Sequence, residues 1–375
     1  MFWPNDDWGM YGRTYEKVTE HLARLDEVSR VVCIFPPIEW KRLAFARPLS
    51  IRKVSRNLWL LNENRIRKGV RGRAGRLDRR ISQSWPVAVL RAFLRLLGYN
   101  KENTIMWLFP PHPYLEELIE IVPHSCVVAQ LVDNFTKIDP SFWLYEFARD
   151  QYPRITQFSD MVITSSQLNY DEFSKGKSEC YLFENAVDES FIGVPSILPC
   201  KVNGVAPRLG YVGWITERTD LSLIEYIARK RPEWSIQIAG PQHGHKIEES
   251  ELVKLPNVQY LGPIVYKEVA GFLKTLDVCL IPHRDTPYSK SMSPLKLYQY
   301  LASGRPIVSS DIAGIERFKE YIHVADSYDS FIRHIEDAIE NDTVELSGRR
   351  IEMASSETWD KRIREIYNVV QQQIA

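Results

Sequence analysis

The sequence predicts an α/β fold in which parallel sheets are covered by helices, and three observations carry this prediction. Short apolar runs suited to buried strands alternate with helical segments in both halves of the chain. A stretch containing Pro195, Pro199 and Gly204 interrupts the alternation, which restarts at Leu209. A length of 375 residues is enough for two domains of ordinary size, each with its own core.

Within the first half, the apolar runs predict strands because each is short and apolar throughout. The predicted strands cover residues 31–35, 104–109, 126–132 and 161–164, and the helices cover 15–25 and 114–121. The predicted domains are residues 1–190, a linker at 191–207, a second domain at 208–355 and a C-terminal helix at 356–375.

Composition narrows the class of protein. The chain is 44% hydrophobic and 26% charged, near the averages of globular proteins, so neither disorder nor a membrane-spanning architecture is indicated. No segment has the apolar length to span a bilayer, and the first residues are not a signal peptide, which predicts a cytoplasmic protein. Five cysteines, widely spaced in mostly apolar runs, predict reduced core thiols and no disulfides.

Charge is distributed unevenly, although the net charge at pH 7 is zero. Residues 41–101 contain seventeen Lys or Arg side chains against only Glu63 and Asp78. Apolar residues at 85–97 recur at helical spacing, and two interpretations stand: a helix lying on an anionic membrane surface, or a core stripe beside solvated charges. Nucleic-acid binding is not indicated, because no recognisable module or aromatic platform accompanies the charges.

The most specific pattern lies at residues 291–308 and reads SMSPLKLYQYLASGRPIV. Pro294 is expected at or near the first helical position, where its missing amide hydrogen costs nothing. Amides of the first turn then face the preceding loop, and the helix dipole makes that end attractive to an anion. Lys296 and Gln299 share one face of the helix. Gly304 is expected to end the helix with a left-handed cap before a short strand.

This pattern resembles the donor-binding signature of glycosyltransferases of the GT-B fold, in the group that includes enzymes of bacterial polysaccharide and teichuronic acid synthesis. A strand and glycine turn at 209–220 is similar to the start of the nucleotide-sugar domain in that group. Segments 234–241, 258–262 and 277–282 follow in the expected order. The resemblance covers most of the C-terminal half and implies two Rossmann-like domains facing each other across a cleft.

The resemblance also implies a donor pocket built from the first loop of the second domain and the start of the 291–308 helix. Lys296 would place a cation on the diphosphate leaving group, where negative charge develops. Gln299 stands where many relatives carry a glutamate that binds the donor ribose or sugar. The residues implied in the pocket are Gly213, Trp214, Arg218, Ser293, Pro294, Leu295, Lys296 and Gln299.

Some of these side chains have ordinary structural alternatives. A lysine early in a helix is usually a solvated charge, but the full motif around Lys296 favours the phosphate role. Arg218 could equally form a surface pair with Glu217 or Asp220. Asp220 could as well cap a helix as bind a ligand.

Several residues are candidates for the base that an inverting transfer would need. Asp133 follows a buried apolar strand and is expected at the cleft edge, where its carboxylate could accept the acceptor's hydroxyl proton. Asp6 and Asp7 near the chain start form a second candidate pair, and His112 in a frame of prolines is a third. Each aspartate could instead cap a helix or order a turn.

No metal and no cofactor are expected beyond the donor substrate. His243, His245 and His283 fall in loops on the donor side, but the spacing of the first two is weak evidence without a further ligand. The Asp-x-Asp motif that holds a divalent cation in transferases of the other major fold does not stand in a suitable place. Lysine, arginine and helix amides are therefore expected to replace the cation, and the reaction is expected to be metal-independent.

These observations predict a glycosyltransferase that moves a sugar from a nucleotide diphosphate sugar to a glycan or lipid-linked acceptor in cell-surface polysaccharide synthesis. The basic region suits an acceptor carrying pyrophosphate and work at the inner face of a bacterial membrane. Two alternatives stand beside this prediction: a nucleotide-sugar epimerase of the same fold, and a non-catalytic nucleotide-sugar-binding or scaffold protein. A nicotinamide-dependent oxidoreductase is disfavoured, because no Gly-x-Gly-x-x-Gly turn follows the first strand.

Overall fold

The structure, a computed structural model, contains two compact units. The first unit consists mainly of Tyr15–Phe183 with Ile363–Ala375, and the second consists of Gly9–Thr14 with Glu184–Arg362. The residues that the structure describes are 8–35, 49–63, 91–112, 115–142, 144–242 and 247–374.

The first unit contains two groups of paired strands. β4 to β7 form a parallel sheet in chain order, whereas β1 pairs in parallel with β3, and β2 runs antiparallel along the other side of β3. Every residue of β5 is buried, as expected for a parallel strand covered on both faces. The strands are β1 (Val31–Phe35), β2 (Leu49–Lys53), β3 (Leu58–Glu63), β4 (Ile105–Leu108), β5 (Cys126–Leu131), β6 (Met161–Thr164) and β7 (Cys180–Leu182).

Helices cover these sheets, and short apolar faces hold them there. The α-helices are α1 (Thr14–Leu22), α2 (Leu115–Ile121), α3 (Tyr145–Gln151), α4 (Ile155–Phe158) and α5 (Gln167–Phe173). The predicted strands at 31–35 and 161–164 have the predicted bounds. The antiparallel strand β2 was not predicted, because its Arg52 and Lys53 interrupt the apolar pattern.

Most of the basic region, residues 41–48 and 64–90, lies outside the described residues. In its described part, residues 91–96 are helical; Leu94 is buried in the core, and Phe93 and Leu97 pack against that core. Leu96 is 87% exposed. These contacts agree with the core interpretation of the stripe, and membrane binding stays a prediction. In the portion of the chain described, no helix is long and apolar enough to cross a bilayer.

All five cysteines are free and buried, which confirms the prediction of reduced core thiols. Burial raises the pKa of the Cys33 and Cys279 thiols to about 12. Both thiols therefore stay protonated and behave as small apolar groups of the core.

The second unit is built on one parallel sheet of six strands in the order β10-β9-β8-β11-β12-β13. The order reverses between β8 and β11, which makes the carboxyl ends of these two strands a topological switch point. Its strands are β8 (Arg208–Val212), β9 (Ser235–Ala239), β10 (Val258–Tyr260), β11 (Val278–Ile281), β12 (Ile307–Ser310) and β13 (His323–Ala325).

Helices of the second unit begin and end with strong local signals. Asp220 caps the start of α7 by accepting a hydrogen bond from the Leu223 amide, and Gly304 ends α10 in the predicted left-handed conformation at φ 74°. The α-helices are α6 (Pro199–Asn203), α7 (Leu221–Lys230), α8 (Tyr266–Lys274), α9 (Pro287–Lys290), α10 (Leu295–Ser303), α11 (Tyr328–Asn341), α12 (Val344–Ser356) and α13 (Trp359–Ile374). The last of these, α13, begins in the second unit, and its residues from Ile363 on belong to the first unit.

The units divide after Phe183, upstream of the predicted linker at 191–207. The reason is that the chain begins to bond within the second unit at once: the Asn185 side-chain amide donates to the Ser293 carbonyl at 2.8 Å, and Val187 forms a β-bridge with Thr358. Residues 184–190 thus form their apolar and polar contacts within the second unit, although they precede the proline-rich stretch in the sequence.

Residues Gly9–Thr14 also belong to the second unit, although the predicted first domain contained them. Thr14 Oγ1 donates to Asn185 Oδ1 at 2.7 Å, and the Tyr266 amide donates to the Met10 carbonyl at 2.9 Å. These bonds join positions far apart in sequence, so no local pattern announces them.

Candidate functional site

The loops that follow β8 and β11 meet at the switch point of the second unit. Thr219 forms an antiparallel bridge with His283, and the Arg284 amide donates to the Arg218 carbonyl at 2.7 Å. Ligands of open parallel sheets bind at such a reversal of strand order. We use the name switch-point site for these two loops, the end of β8 and the first turn of α10.

Lys296 lies in the first turn of α10 and reaches both loops. Its Nζ atom lies 2.9 Å from Nε2 of His283 and donates to the hydroxyl of Tyr211 at 3.3 Å. The ammonium also lies 4.7 Å from the centre of the Tyr211 ring, within the range of a cation–π contact. Within the described ranges no carboxylate pairs with Lys296.

Arg218 supplies a second cation in the β8–α7 loop. Its Nη1 atom contacts the Met292 sulfur at 2.6 Å, and its Nε–H is buried without a hydrogen-bond acceptor among the residues described. The predicted alternative, a pair with Glu217 or Asp220, is not formed in this part of the chain, since Asp220 caps α7 and pairs with Arg284 at 3.5 Å.

Burial, together with the proximity of these basic groups, lowers the pKa values of Lys296 and His283. Burial first, and then the charge of Arg218, holds the pKa of Lys296 well below its ordinary value. Burial, followed by the charges of Lys296 and Arg218, likewise lowers the pKa of His283 well below its ordinary value. The free site therefore disfavours positive charge on both groups, and an incoming anion would favour it.

Gly213 provides the space that Lys296 occupies. A Cβ atom at this position would lie 3.0 Å from Cε and 3.2 Å from Nζ of Lys296, and the glycine has φ 147°. Gly240 is equally constrained, because its Cβ would lie 2.0 Å from the carbonyl oxygen of Gly213. Glycine is required at both positions by close contact and by backbone conformation.

The Gly9–Thr14 segment packs on Trp214, next to Gly213. The Tyr11 and Trp214 rings meet edge to face with centroids 5.6 Å apart, and the Arg13 guanidinium lies 4.8 Å from the centre of the indole ring. Trp214 Nε1 and Thr216 Oγ1 are buried, and neither has a hydrogen-bond partner in the described part of the chain. The loop after β8 therefore carries several donors that find no acceptor among the described residues, which suits an anionic ligand.

The remaining predicted donor residues lie around the start of α10. Pro294 is the N-cap residue, directly before Leu295, and Gln299 is buried on the helix. Ser293 is buried and receives two hydrogen bonds from Asn185, at its Oγ from the backbone amide and at its carbonyl from the side chain. Ser293 thus fixes the entry to the helix.

The predicted base candidates fall in the first unit or outside the described residues. Asp133 lies two residues after β5, is half-buried, and its carbonyl accepts a hydrogen bond from the Tyr152 hydroxyl at 3.0 Å. The amide of His112 donates to Gln151 Oε1 at 3.0 Å. The base candidates Asp6 and Asp7 lie outside the described residues, as do His243 and His245, which were considered as metal ligands. The structure brings neither Asp133 nor His112 together with Lys296 within one unit.

Metal binding finds no support among the described side chains. In those ranges no group of three His, Cys, Asp or Glu side chains is arranged to hold a metal ion. The cationic groups of the switch-point site are themselves unsuited as metal ligands, because they compete with a cation for the same position.

Sequence reasoning did not identify Tyr211, His283, Tyr11 or Arg13 as site residues. Tyr211 is the penultimate residue of β8 and His283 lies two residues after β11, so the strand order would have indicated them. The sequence contains no comparable signal for Tyr11 and Arg13, because their contacts with Trp214 join positions about two hundred residues apart.

Part of the chain is similar in sequence to known glycosyltransferases. Residues 206–341 match the family model described as Glycosyl transferases group 1. A protein of Bacillus subtilis (strain 168), TuaH, named as a teichuronic acid biosynthesis glycosyltransferase, is 27% identical over 244 residues. The match covers 60% of this chain, and the chain spans 60% of the length of that relative.

Solved structures share the fold at low sequence identity. Sucrose-phosphate synthase from Thermosynechococcus elongatus is 13% identical with a TM-score of 0.72, over 98% of this chain and 95% of that chain. HepE from Anabaena, solved with UDP and glucose, is 12% identical with a TM-score of 0.67, over 99% of each chain. The predicted α/β fold with GT-B architecture is confirmed, and so is the predicted resemblance to GT-B glycosyltransferases.

Proposed function

We propose, on the premise that residues 206–341 form a glycosyl transferases group 1 domain, that the chain transfers a sugar from a nucleotide diphosphate sugar to a glycan or lipid-linked acceptor. The main evidence for the proposal is that two cations, Lys296 and Arg218, lie close together in the site. No carboxylate of the described residues forms an ion pair with Lys296. A diphosphate supplies the opposite charge and several acceptor oxygens.

The same two cations suit the chemistry of sugar transfer. When the bond between the sugar and the diphosphate breaks, negative charge builds on the leaving group. An ammonium and a guanidinium that are already in place stabilise that charge without reorganising during the reaction. Removing one such donor typically lowers kcat by about 100-fold. Because cations of the protein do this work, we propose that the reaction needs no metal.

We assign the base of an inverting transfer to Asp133. Its carboxylate follows a fully buried strand, and its loop is fixed by the Tyr152 hydroxyl bond and by the Asn134 side chain, which accepts from the Thr136 amide at 3.1 Å. A base held in a fixed geometry can accept the acceptor's hydroxyl proton, a contribution worth about 100-fold or more in rate.

The comparisons support the class of substrate. The name of the Bacillus subtilis relative assigns it to teichuronic acid biosynthesis, and the HepE structure contains UDP and glucose. We therefore propose a role in the synthesis of cell-surface polysaccharide with a UDP-linked sugar as donor. The basic region at 41–101 favours an acceptor that carries pyrophosphate and contact with an anionic membrane surface at the cytoplasmic face.

The test is ligand-induced thermal stabilisation with UDP-glucose, UDP-N-acetylglucosamine, GDP-mannose and dTDP-rhamnose, each with and without EDTA. At a ligand concentration of about 100 times Kd, binding contributes about 2.7 kcal/mol, which raises Tm by about 5–10 °C. We expect one nucleotide class to do so, with no effect of EDTA. Lys296→Ala is expected to abolish the rise.

The matched control is Lys319→Ala, since Lys319 is an exposed lysine of the same unit that pairs with Asp311 at 3.3 Å. Its response to the ligand should equal that of the wild type. No stabilisation by any nucleotide sugar would favour the scaffold alternative. Conversion of the donor to its epimer without an acceptor, followed by NMR, would favour the epimerase.

A further inference from the structure

Three polar atoms meet within the switch-point site. Lys296 Nζ lies 2.9 Å from His283 Nε2 and 3.3 Å from the Tyr211 hydroxyl, and that hydroxyl lies 3.4 Å from His283 Nε2. The hydroxyl also donates to the Trp214 carbonyl at 2.9 Å. His283 is only 7% exposed, and the bridge to Thr219 fixes its backbone. The imidazole is therefore held against the ammonium with little freedom to turn away.

Among the described residues, the charged groups that face His283 are cations. They are Lys296 from α10 and Arg218 from the β8–α7 loop, together with the neutral Tyr211 at the end of β8. Asp220, at the end of the β8–α7 loop, accepts hydrogen bonds from the Leu223 amide and the Tyr328 hydroxyl. A neutral imidazole is the form that fits this environment, and its Nε2 then accepts from the ammonium.

We propose that His283 positions Lys296 in the free protein and that the His283–Lys296 pair takes up a proton when a nucleotide diphosphate sugar binds. The inference rests on the function proposed above, because the anion that drives the change is the donor diphosphate. The proton comes from solvent and binds to the pair as a unit, since two groups this close titrate together.

The consequence of this uptake is a change in what Lys296 can reach. Once Nε2 carries a proton it no longer accepts from the ammonium, so the Lys296 donors are released toward the diphosphate oxygens. The protonated imidazole adds a third cation beside Arg218 and Lys296. Binding is therefore expected to strengthen as pH falls, by up to about tenfold per pH unit for one whole proton.

The experiment is calorimetric titration with the tightest-binding sugar of the panel above, in PIPES, HEPES and Tris at pH 7. The diphosphate of a nucleotide sugar is a diester with no group that titrates near neutral pH, so any dependence of the heat on the buffer reports protons taken up by the protein. We expect uptake of about half a proton or more.

Two variants separate positioning from protonation. His283→Gln places an amide near Nε2 that can still accept from Lys296 but cannot take a proton, so binding should stay within about threefold while the uptake disappears. His283→Ala removes both roles and should weaken binding by about tenfold. The control is His323→Gln, because His323 lies on β13 beside Asp337, away from the switch-point site, and should leave the uptake unchanged.

The outcomes distinguish the inference from the function on which it rests. Binding by the wild type without buffer-dependent heat overturns the inference and leaves the proposed function standing. Undiminished uptake in a folded His283→Gln variant also overturns it, and if that variant does not fold, the wild-type measurement across pH 6 to 8.5 decides alone. Failure of every nucleotide sugar to bind rejects the proposed function and the inference together.

Discussion

The carboxyl ends of the strands differ sharply between the two units in how their polar side chains are balanced. After β5 in the first unit, Asn134 accepts from Thr136 and donates to Asn169 at 3.3 Å, so that loop is closed by its own hydrogen bonds. After β8 in the second unit, Lys296 and Arg218 approach each other with no carboxylate from the described chain between them.

This difference between the two loops indicates which of them can gain free energy when a ligand binds. A loop whose polar groups already bond to one another is rigid and gains little from a ligand. A loop that concentrates like charges is unfavourable in the free protein and becomes favourable only when an anion arrives. The first arrangement suits the presentation of a base, and the second suits the capture of a diphosphate.

The largest effect should come from the first unit. Asp133→Asn is expected to lower kcat by about 100-fold or more while the Kd of the donor stays the same, because the substitution removes a proton acceptor and no positive charge. Initial rates and calorimetry would measure the two quantities. The control is Asp139→Asn, an exposed aspartate of the same loop whose carboxylate accepts from the Ser141 amide; its kcat should match the wild type.

A donor Kd that rises in Asp133→Asn would contradict the division of labour between the two units. Unchanged kcat would remove Asp133 as the base and move attention to Asp6 and Asp7.

The next effect should come from the cation pair. Arg218→Gln is expected to raise the donor Kd by about tenfold to 100-fold, since a charge-assisted hydrogen bond is worth about 1.5–3 kcal/mol. The free variant should unfold at an equal or higher temperature, because a like charge next to Lys296 is gone. Arg284→Gln, an exposed neighbour paired with Asp220, is the control and should bind normally. If Arg218→Gln has a lowered Tm but binds the donor normally, the arginine contributes only to the packing of the folded protein.

A smaller effect on donor binding is expected when the space around the Lys296 ammonium is filled. Gly213→Ala is expected to weaken donor binding by about tenfold and to destabilise the free protein by about 1–2 kcal/mol, because the added methyl group displaces Lys296 and the φ of 147° is strained for alanine. Gly271→Ala in α8 is the matched control: its Cβ meets nothing within 4 Å, and it should be neutral or slightly stabilising. Chemical denaturation and calorimetry measure both variants.

The smallest effect concerns pH and the stability of the free protein. The pKa of His283 is lower in the folded protein than its ordinary 6.5, so the unfolded chain binds more protons at pH values just below 6.5. Stability contributed by the neutral imidazole is therefore complete above pH 6.5 and is lost as pH falls toward the folded pKa.

In this pH range the Tm of wild type should fall more steeply with acidification than that of His283→Gln, with a difference on the order of 1 kcal/mol, or about 2–4 °C. Thermal unfolding at pH 7.5 and pH 5.5 measures the comparison. Equal slopes in the two proteins would show that the imidazole titrates normally in the free state.

Much of the second unit could be predicted because its signals are local. Pro294 and Gly304 mark the two ends of α10 through backbone restrictions that act within one turn, and the apolar runs of β8 and β11 fix the sheet. The position of Lys296 in the first turn of this helix could be predicted for the same reason, and its role as a donor ligand stays a prediction.

The rest of the site depends on contacts that no local pattern encodes. The Lys296 bond to Tyr211 spans 85 positions, and the contact with His283 spans 13 positions across a loop. The hydrogen bonds that Ser293 accepts come from Asn185, 108 positions earlier, and the sequence contains no signal of them. The order of the strands in the sheet determines which of these residues come into contact. That order is a property of the assembled sheet and not of any local sequence.

The Gly9–Thr14 segment has a consequence for how the protein is made on the ribosome. Met10 cannot form its hydrogen bond until Tyr266 has been synthesised, and Thr14 cannot form its bond until Asn185 has been synthesised. The second unit therefore cannot complete its hydrogen bonds until most of the chain has emerged from the ribosome. A fragment cut at Glu184 for separate expression would lack Tyr11 and Arg13 over the indole of Trp214. Isolation of the second unit should therefore include residues 9–14, by circular permutation or by a linker.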